Sequence, residues 1–333
     1  MKRREFIKFS AGIPLLLGAG KIGSAFAADT PNSSRLVTAW SAGLFQPDGK
    51  PDPAKAKEMF KASFLKYADA KSYKEGWAKF LKREDIVGIK LNCMAGKNLM
   101  PNHDILDELV SSLLEAGVED NNIVIWDRFV THISRIKYPM NDTGRGIRVM
   151  ASEVYGPITY TGQGYDKDFV YEGDSEFTKI VTQLCSAHIN FTVLKDHGKS
   201  GITGALKNFS FGAVNSTIRF HSQGCDPHAA AIWNHEAMKG KVKLNILDAI
   251  RPLCEGGPSD SPKYRWNHGA VVISEDPVAV DALGLKWIEA RRAEMKLPTF
   301  EEDGRPAKHV RSGAKLGLGQ DDLSKVTMTD LKV

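Results

Sequence analysis

Four short apolar runs end in side chains able to bind or move charge. Lys90 and Asn92 close the run over 86–91, Asp127 and Arg128 follow 123–126, Lys195, Asp196 and His197 follow 189–194, and Asp248 follows 242–247. A lysine or carboxylate at the end of a buried strand needs a partner, so several of them at successive strand ends predict one convergent charged pocket. The chemistry expected there is capture of an anionic small molecule by Lys90, Lys195 and Lys207, with His197 as acid and base. An imidazole titrates near neutrality, and His197 directly follows a carboxylate.

Between 195 and 212 the glycines at 198, 201 and 204 would let backbone amides approach a guest, while Lys195, Lys199 and Lys207 supply positive charge. A carboxylate or phosphate is the natural occupant. The glycine spacing matches neither a Walker loop nor a dinucleotide fingerprint. His221, Cys225, His228, His235 and His268 raise a metal reading. His228 and His235 on one helix would stand two turns apart, about 10.5 Å along the axis, too far to share an ion. A divalent metal held by His221, Cys225 and His228 is one expectation; histidines hydrogen-bonded around a polar pocket are the other. Ser200 and Ser222 lack the nucleophile-elbow pattern of serine hydrolases. The cysteines, at 93, 185, 225 and 254, form no Cys-x-x-Cys pair, so an iron–sulfur cluster of the chain's own is not expected. Buried thiols, or disulfides in any of three pairings, remain open for them.

The elements that must position these groups are readable from periodicity. A strand is expected over 35–40, then a helix over 53–70 opened by Asp52 as N-cap and Pro53 at the first position, and a second helix over 73–81. Strand 85–92, helix 103–116 and strand 123–126 make a βαβ unit. The alternation returns as helix 176–186, strand 189–194, a glycine-rich loop, helix 227–238, strands 242–247 and 269–274, and helix 277–294. The expected class is α/β, a mostly parallel sheet with helices on both faces and active groups at the carboxyl ends of its strands. Residues 138–174, rich in Gly, Tyr and Asp, read as a small irregular insertion.

The chain has 333 residues, with Lys+Arg 45 and Asp+Glu 40. Its first 27 are expected to be a twin-arginine export signal: Lys2-Arg3-Arg4-Glu5-Phe6-Ile7-Lys8, an apolar run from 11 to 17, and small residues around Ala25-Phe26-Ala27. One α/β domain over 28–333 would then reach the periplasm through the twin-arginine translocase. Without the signal 40 basic residues face 39 acidic ones, so most of the basicity belongs to the export segment and no nucleic-acid footprint remains. Export in the folded state suits proteins that load a cofactor before crossing.

Six motifs in order resemble the domain-of-unknown-function 362 family. They are Ile89-Lys90-Leu91-Asn92; Ile125-Trp126-Asp127; Ile189-Asn190 through Lys195-Asp196-His197; Leu206-Lys207-Asn208; Asn245-Ile246-Leu247-Asp248-Ala249-Ile250 with Gly256-Gly257-Pro258; and Asp276-Pro277 through Asp281. The likeness runs from about 84 to 330 and includes Gly317-Leu318-Gly319. It implies an α/β fold and marks Lys90, Asn92, Lys195, His197, Lys207, Asn208, Asp248 and Asp281 as shared positions. From these, Lys90, His197, Lys207 and Asp248 are expected to be catalytic, and Asn92, Lys195, Asn208 and Asp281 to bind ligand; Asp281 also admits a capping role in its helix. Some members carry ferredoxin-like cysteine runs tied to redox chemistry. This chain lacks them, so redox work would need another cofactor or a redox partner protein. Two functions follow as expectations: an exported enzyme acting on an anionic small molecule, or a periplasmic accessory protein that binds a metal or redox partner without catalysis.

Overall fold

Strands buried on both faces read as unbroken apolar runs, and runs of that kind build the centre of this molecule. The computed structural model describes residues 34–154 and 164–333; the expected export segment lies outside the described residues. Along the chain come β1 (Arg35–Trp40), α1 (Pro53–Ala68), α2 (Tyr73–Trp77), β2 (Val87–Lys90), α3 (His103–Glu115), β3 (Ile123–Asp127), α4 (Val130–Ile133) and β4 (Arg148–Ala151). There follow β5 (Tyr165–Tyr171), β6 (Ser175–Thr178), β7 (Ala187–His197), β8 (Gly201–Ile202), α5 (Gly204–Ala213), α6 (His228–Trp233) and β9 (Val242–Leu253). The chain ends with β10 (Ala270–Ser274), α7 (Pro277–Glu294), α8 (Lys308–Lys315) and β11 (Thr327–Lys332).

The main sheet has the order β11-β1-β10-β9-β7-β2-β3-β4, with β8 folded back on the end of β7. β10 runs against both of its neighbours, and the remaining pairs along this order are parallel. β5 and β6 form a separate antiparallel ribbon.

Side-chain alternation divides the core into two layers. Ile123 and Ile125 of β3 join Phe60, Phe64, Trp77 and Leu109 from α1, α2 and α3. Val124 and Trp126 of the same strand turn to Phe209, Ile232, Val280 and Val310 from α5, α6, α7 and α8. The long helices start where local chemistry says they should. Asp52 accepts from the backbone N–H groups of Ala54 and Lys55, Asn102 from those of Asp104 and Ile105, and Asp276 from that of Ala279, with proline leading α1 and α7.

Several expectations are corrected. The helix expected over 176–186 is the short strand β6 followed by a π-helical turn at Ile180–Leu184, because Ser175–Thr178 finds its partner in β5. The glycine-rich loop is interrupted by α5, all ten of whose residues are buried; a helix enclosed on every side shows no polar stripe to betray its period. Helix 73–81 ends early, at Trp77. The stretch 138–174 is not wholly an insertion: β4 within it is the edge of the main sheet, paired in parallel with β3.

Candidate functional site

β2, β3 and β7 run side by side in parallel, so their carboxyl ends open at one rim of the sheet. There a cavity of about 690 Å³ is lined by Lys90, Asn92, Asp127, Lys195 and His197 from or just beyond these strands, and by Lys207 and Asn208 from α5. Six of the eight expected site residues thus converge. Lys207 and Phe211 stand one helical turn apart on α5, and the Lys207 ammonium position lies 4.8 Å from the Phe211 ring centre.

Lys90 is held by the chain's own oxygens. Its Nζ donates to Asp127 Oδ1 (2.8 Å), to Asn208 Oδ1 (3.1 Å) and to the Leu91 carbonyl, which uses all three of its hydrogens. From there a chain of amides crosses the sheet. Asn208 Nδ2 donates to Asn190 Oδ1 (2.8 Å), Asn190 Nδ2 to Asn245 Oδ1 (2.9 Å), and Asn245 Nδ2 to the carbonyls of Ser274 and Glu275. Gly212 makes room for this lysine: a Cβ there would come within 2.1 Å of Lys90 Cε. Burial alone would raise the Asp127 carboxyl, but the Lys90 ammonium, together with the backbone N–H groups of Cys93 and Arg128, outweighs it and holds Asp127 below the usual carboxylate range. The catalytic role expected of Lys90 is therefore replaced by positioning, since no donor of its own is left for a guest.

Lys195 is fully buried and has no carboxylate partner among the described residues. Its Nζ donates to Asn92 Oδ1 (2.8 Å) and to the Pro258 carbonyl (3.4 Å). Burial above all brings its pKa down to about 7; the Lys90 ammonium adds to the fall, while Asp127 and Cys93 oppose it. Pro258 reaches Lys195 because its loop is pinned behind β7. Gly257 N–H donates to Asp196 Oδ1 (2.7 Å), Arg305 pairs with Asp196 Oδ2 (2.8 Å), and Glu255 receives both Arg292 and Arg305. A Cβ at Gly257 would lie 2.1 Å from the Asp196 carbonyl oxygen, so only glycine lets the loop pass there.

Two of the three histidines that line the cavity, His197 and His221, differ in what they have to offer. His197 Nδ1 accepts from the Lys199 backbone N–H (3.2 Å), and its Nε2 lies 3.2 Å from Lys207 Nζ, so both nitrogens are engaged. His221 stacks at a tilt on His197 with ring centres 5.4 Å apart. Its Nδ1 lies 3.0 Å from the Thr217 carbonyl and must carry the hydrogen, which leaves Nε2 as the unprotonated nitrogen of a neutral ring, with no protein partner among the described residues. Burial lowers the pKa of both rings, most strongly for His197.

The expected metal set is not assembled. His221 lines the cavity, but His228 is turned to Tyr171 Oη (3.0 Å) and Gln223 Oε1 (2.7 Å), and Cys225 is a buried free thiol. Among the described residues no group of three or more His, Cys, Asp or Glu side chains is arranged to hold a metal ion.

Asp248 and Asp281 are also elsewhere. In β9 the even-numbered residues Leu244, Ile246 and Ile250 pack toward α1, α2 and α3, which puts Asp248 on that same face. It lines a separate cavity of about 350 Å³ and ties β9 to the start of α3 by accepting from Asn102 N (2.8 Å) and Ile250 N (2.8 Å). Burial raises its pKa to about 6 against those bonds.

Asp281 sits under the first turn of α5 and accepts from the N–H groups of Ala205 and Leu206. The acceptor at this glycine-rich helix start is thus the chain's own carboxyl group, whose pKa burial pushes up to about 8. Gly204 has φ +58, and a Cβ on it would lie 2.3 Å from Asp281 Oδ1. Gly204→Ala is expected to cost on the order of 3 kcal/mol, from left-handed strain together with displacement of the carboxylate; urea unfolding would read it. A parallel fit explains Gly319, where a Cβ would lie 1.7 Å from Asp276 Oδ1.

Arg128, expected only as one of the strand-end charges, also lines the cavity, as do Phe129, His132 and Thr217, which were not among the expected site residues. Arg128 Nη1 donates to Thr217 Oγ1 (2.6 Å), and its buried Nε has no partner among the described residues. Its place directly after Asp127 at the end of β3 was the available signal.

A mostly parallel α/β sheet with a cavity lined by basic side chains at its strand ends defines the class of this protein. The chain belongs to the family described as domain of unknown function (DUF362), whose model matches residues 87–286. No curated protein matches it. Among solved structures it is similar to the crystal structure of a Thermotoga maritima protein from a structural genomics consortium, at 12% identity and a TM-score of 0.39. That likeness covers 74% of this chain and 60% of the other, so this chain spans less than two thirds of its length.

Proposed function

We propose that this protein is an exported enzyme that binds an anionic small molecule with an apolar body in the strand-end cavity and performs acid–base chemistry on it. One observation carries the reading. The cavity is lined by the basic side chains Lys90, Lys195, Lys199, Lys207 and Arg128 against the single carboxylate of Asp127, which Lys90 already pairs. The fully buried Lys195 ammonium, kept out of water without a counterion, is costly unless a guest supplies the negative charge. The other walls are Phe129, Phe211, Pro258, Met94 and the exposed Ile218, which suit an aromatic or aliphatic body, and the volume suits a drug-sized guest. His221 Nε2 is the nitrogen best placed to take a proton. The paired arginines at Arg3 and Arg4 support delivery through the twin-arginine translocase.

Calorimetric titration with 4-(hydroxymethyl)benzoate tests the reading. Binding at one site is expected, weakening by roughly tenfold or more in Arg128→Leu because a buried charge-assisted contact is lost. It should also weaken as the pH rises from about 6 to 8, since Lys195 is cationic below its pKa of about 7 and neutral above it. Absence of binding at either pH would remove the reading. Recovery of every bound compound unchanged after long incubation would instead favour a carrier.

A further inference from the structure

The contact between His197 and Lys207 specifies where the protons are. A backbone N–H can only donate, so the 3.2 Å bond from Lys199 N makes His197 Nδ1 an acceptor with its lone pair in use. A neutral ring with an unprotonated Nδ1 carries its hydrogen on Nε2, and Nε2 faces Lys207 Nζ at 3.2 Å. For that contact to be a hydrogen bond, Nζ must accept, which an ammonium cannot do. A protonated His197 fails equally, because its Nδ1–H would face the Lys199 N–H. Lys207 is therefore held as a neutral amine.

Its surroundings agree. It is almost wholly buried, has no carboxylate partner among the described residues, and lies over the face of Phe211. Burial lowers its pKa. A neutral lysine amine inside a cavity with cationic walls is the arrangement of a carbonyl-condensing nucleophile.

We propose that Lys207 forms an imine with an aldehyde or ketone that also carries a carboxylate or phosphate, the anionic group being held by Arg128 and Lys195. This rests on the anion-binding reading above and names the reacting group of the guest. The Nζ lone pair adds to the carbonyl carbon, and the carbonyl oxygen takes one proton from Nζ to give a carbinolamine. Using that lone pair releases the His197 Nε2–H to donate to the oxygen on which charge develops. The C–O bond then breaks, the hydroxyl leaves as water with a proton from solvent, and the remaining Nζ proton is given back to solvent. The carbonyl oxygen departs with the two amine hydrogens, and nothing is oxidised or reduced.

The test uses the full exported protein with 4-carboxybenzaldehyde and cyanoborohydride near pH 7, followed by intact mass and peptide mapping. Reduction of the imine leaves a carboxybenzyl group on the lysine that condensed. Labelling of Lys207 is expected to exceed that of the surface lysines by roughly tenfold or more, since each unit by which an amine's pKa falls raises its neutral fraction about tenfold. The non-condensing 4-(hydroxymethyl)benzoate should compete, and Lys207→Arg, which cannot condense, should lose the label, as should Lys207→Met. If 4-(hydroxymethyl)benzoate binds but the label is absent, scattered over surface lysines or found on Lys195, the imine is overturned and the anion pocket stands. If 4-(hydroxymethyl)benzoate does not bind, both fall together.

Discussion

Lys90→Met is expected to destabilise the protein by about 3–5 kcal/mol, the range for removing one partner of a buried ion pair. The pair is nearly sealed from water, with side-chain exposures of 2% for Lys90 and 6% for Asp127. Methionine fills much the same space, so the loss is electrostatic rather than a cavity. It strands the Asp127 carboxylate with only backbone donors and removes the cation that anchors the amide chain through Asn208, Asn190 and Asn245. Urea unfolding would measure it, and the double change Lys90→Met with Asp127→Leu should recover most of the loss. The pH dependence has a definite sign. Asp127 is depressed in the folded state, so its contribution is present above the ordinary carboxylate pKa and disappears only as acid carries the pH through the lower folded value. A Lys90→Met protein as stable as the parent would show that this pair holds nothing in place.

What could be read without coordinates follows from range. The caps at Asp52 and Asp276 act within three residues of themselves, and α1 and α7 begin where those residues and their prolines predict. The strand ends were legible for the same reason: an apolar run that stops at a charge marks its own boundary. Other features depend on partners remote in the chain. Nothing around Lys90 announces that Asn208, 118 positions away, will occupy one of its hydrogens. Asp248 resembles the other strand-end charges until the parity of β9 sends it to the opposite layer. β11 alternates Thr, Met, Thr, Asp, Leu and Lys, too polar to stand out as a strand, and it exists because β1 offers it an open edge. The acceptor at the start of α5 comes from the Asp281 carboxyl group in α7 rather than from a guest, which nothing near α5 in the chain announces.

The same substitution at Lys195 should act in the opposite direction. Lys195→Met is expected to stabilise the ligand-free protein by about 1–3 kcal/mol, because it replaces a buried cation with no counterion by an apolar side chain of similar shape. Asn92 Oδ1 and the Pro258 carbonyl would lose a donor, but both groups line an open cavity where water can replace it. The linkage carries the same sign. The folded pKa of about 7 lies below the ordinary lysine value, so the native state binds fewer protons than the unfolded chain between about 7 and 10. The parent's stability should therefore climb through that window, and the climb should flatten in Lys195→Met. Affinity for 4-(hydroxymethyl)benzoate should fall by roughly tenfold or more, with its pH dependence between 6 and 8 largely gone, because the cation that loses its charge there has been removed. Melting curves and calorimetry across pH 6 to 10 read both effects in one pair of proteins. Destabilisation comparable to that of Lys90→Met would mean that Lys195 serves the fold as Lys90 does, and the unpaired charge assigned to a guest would have to be found elsewhere.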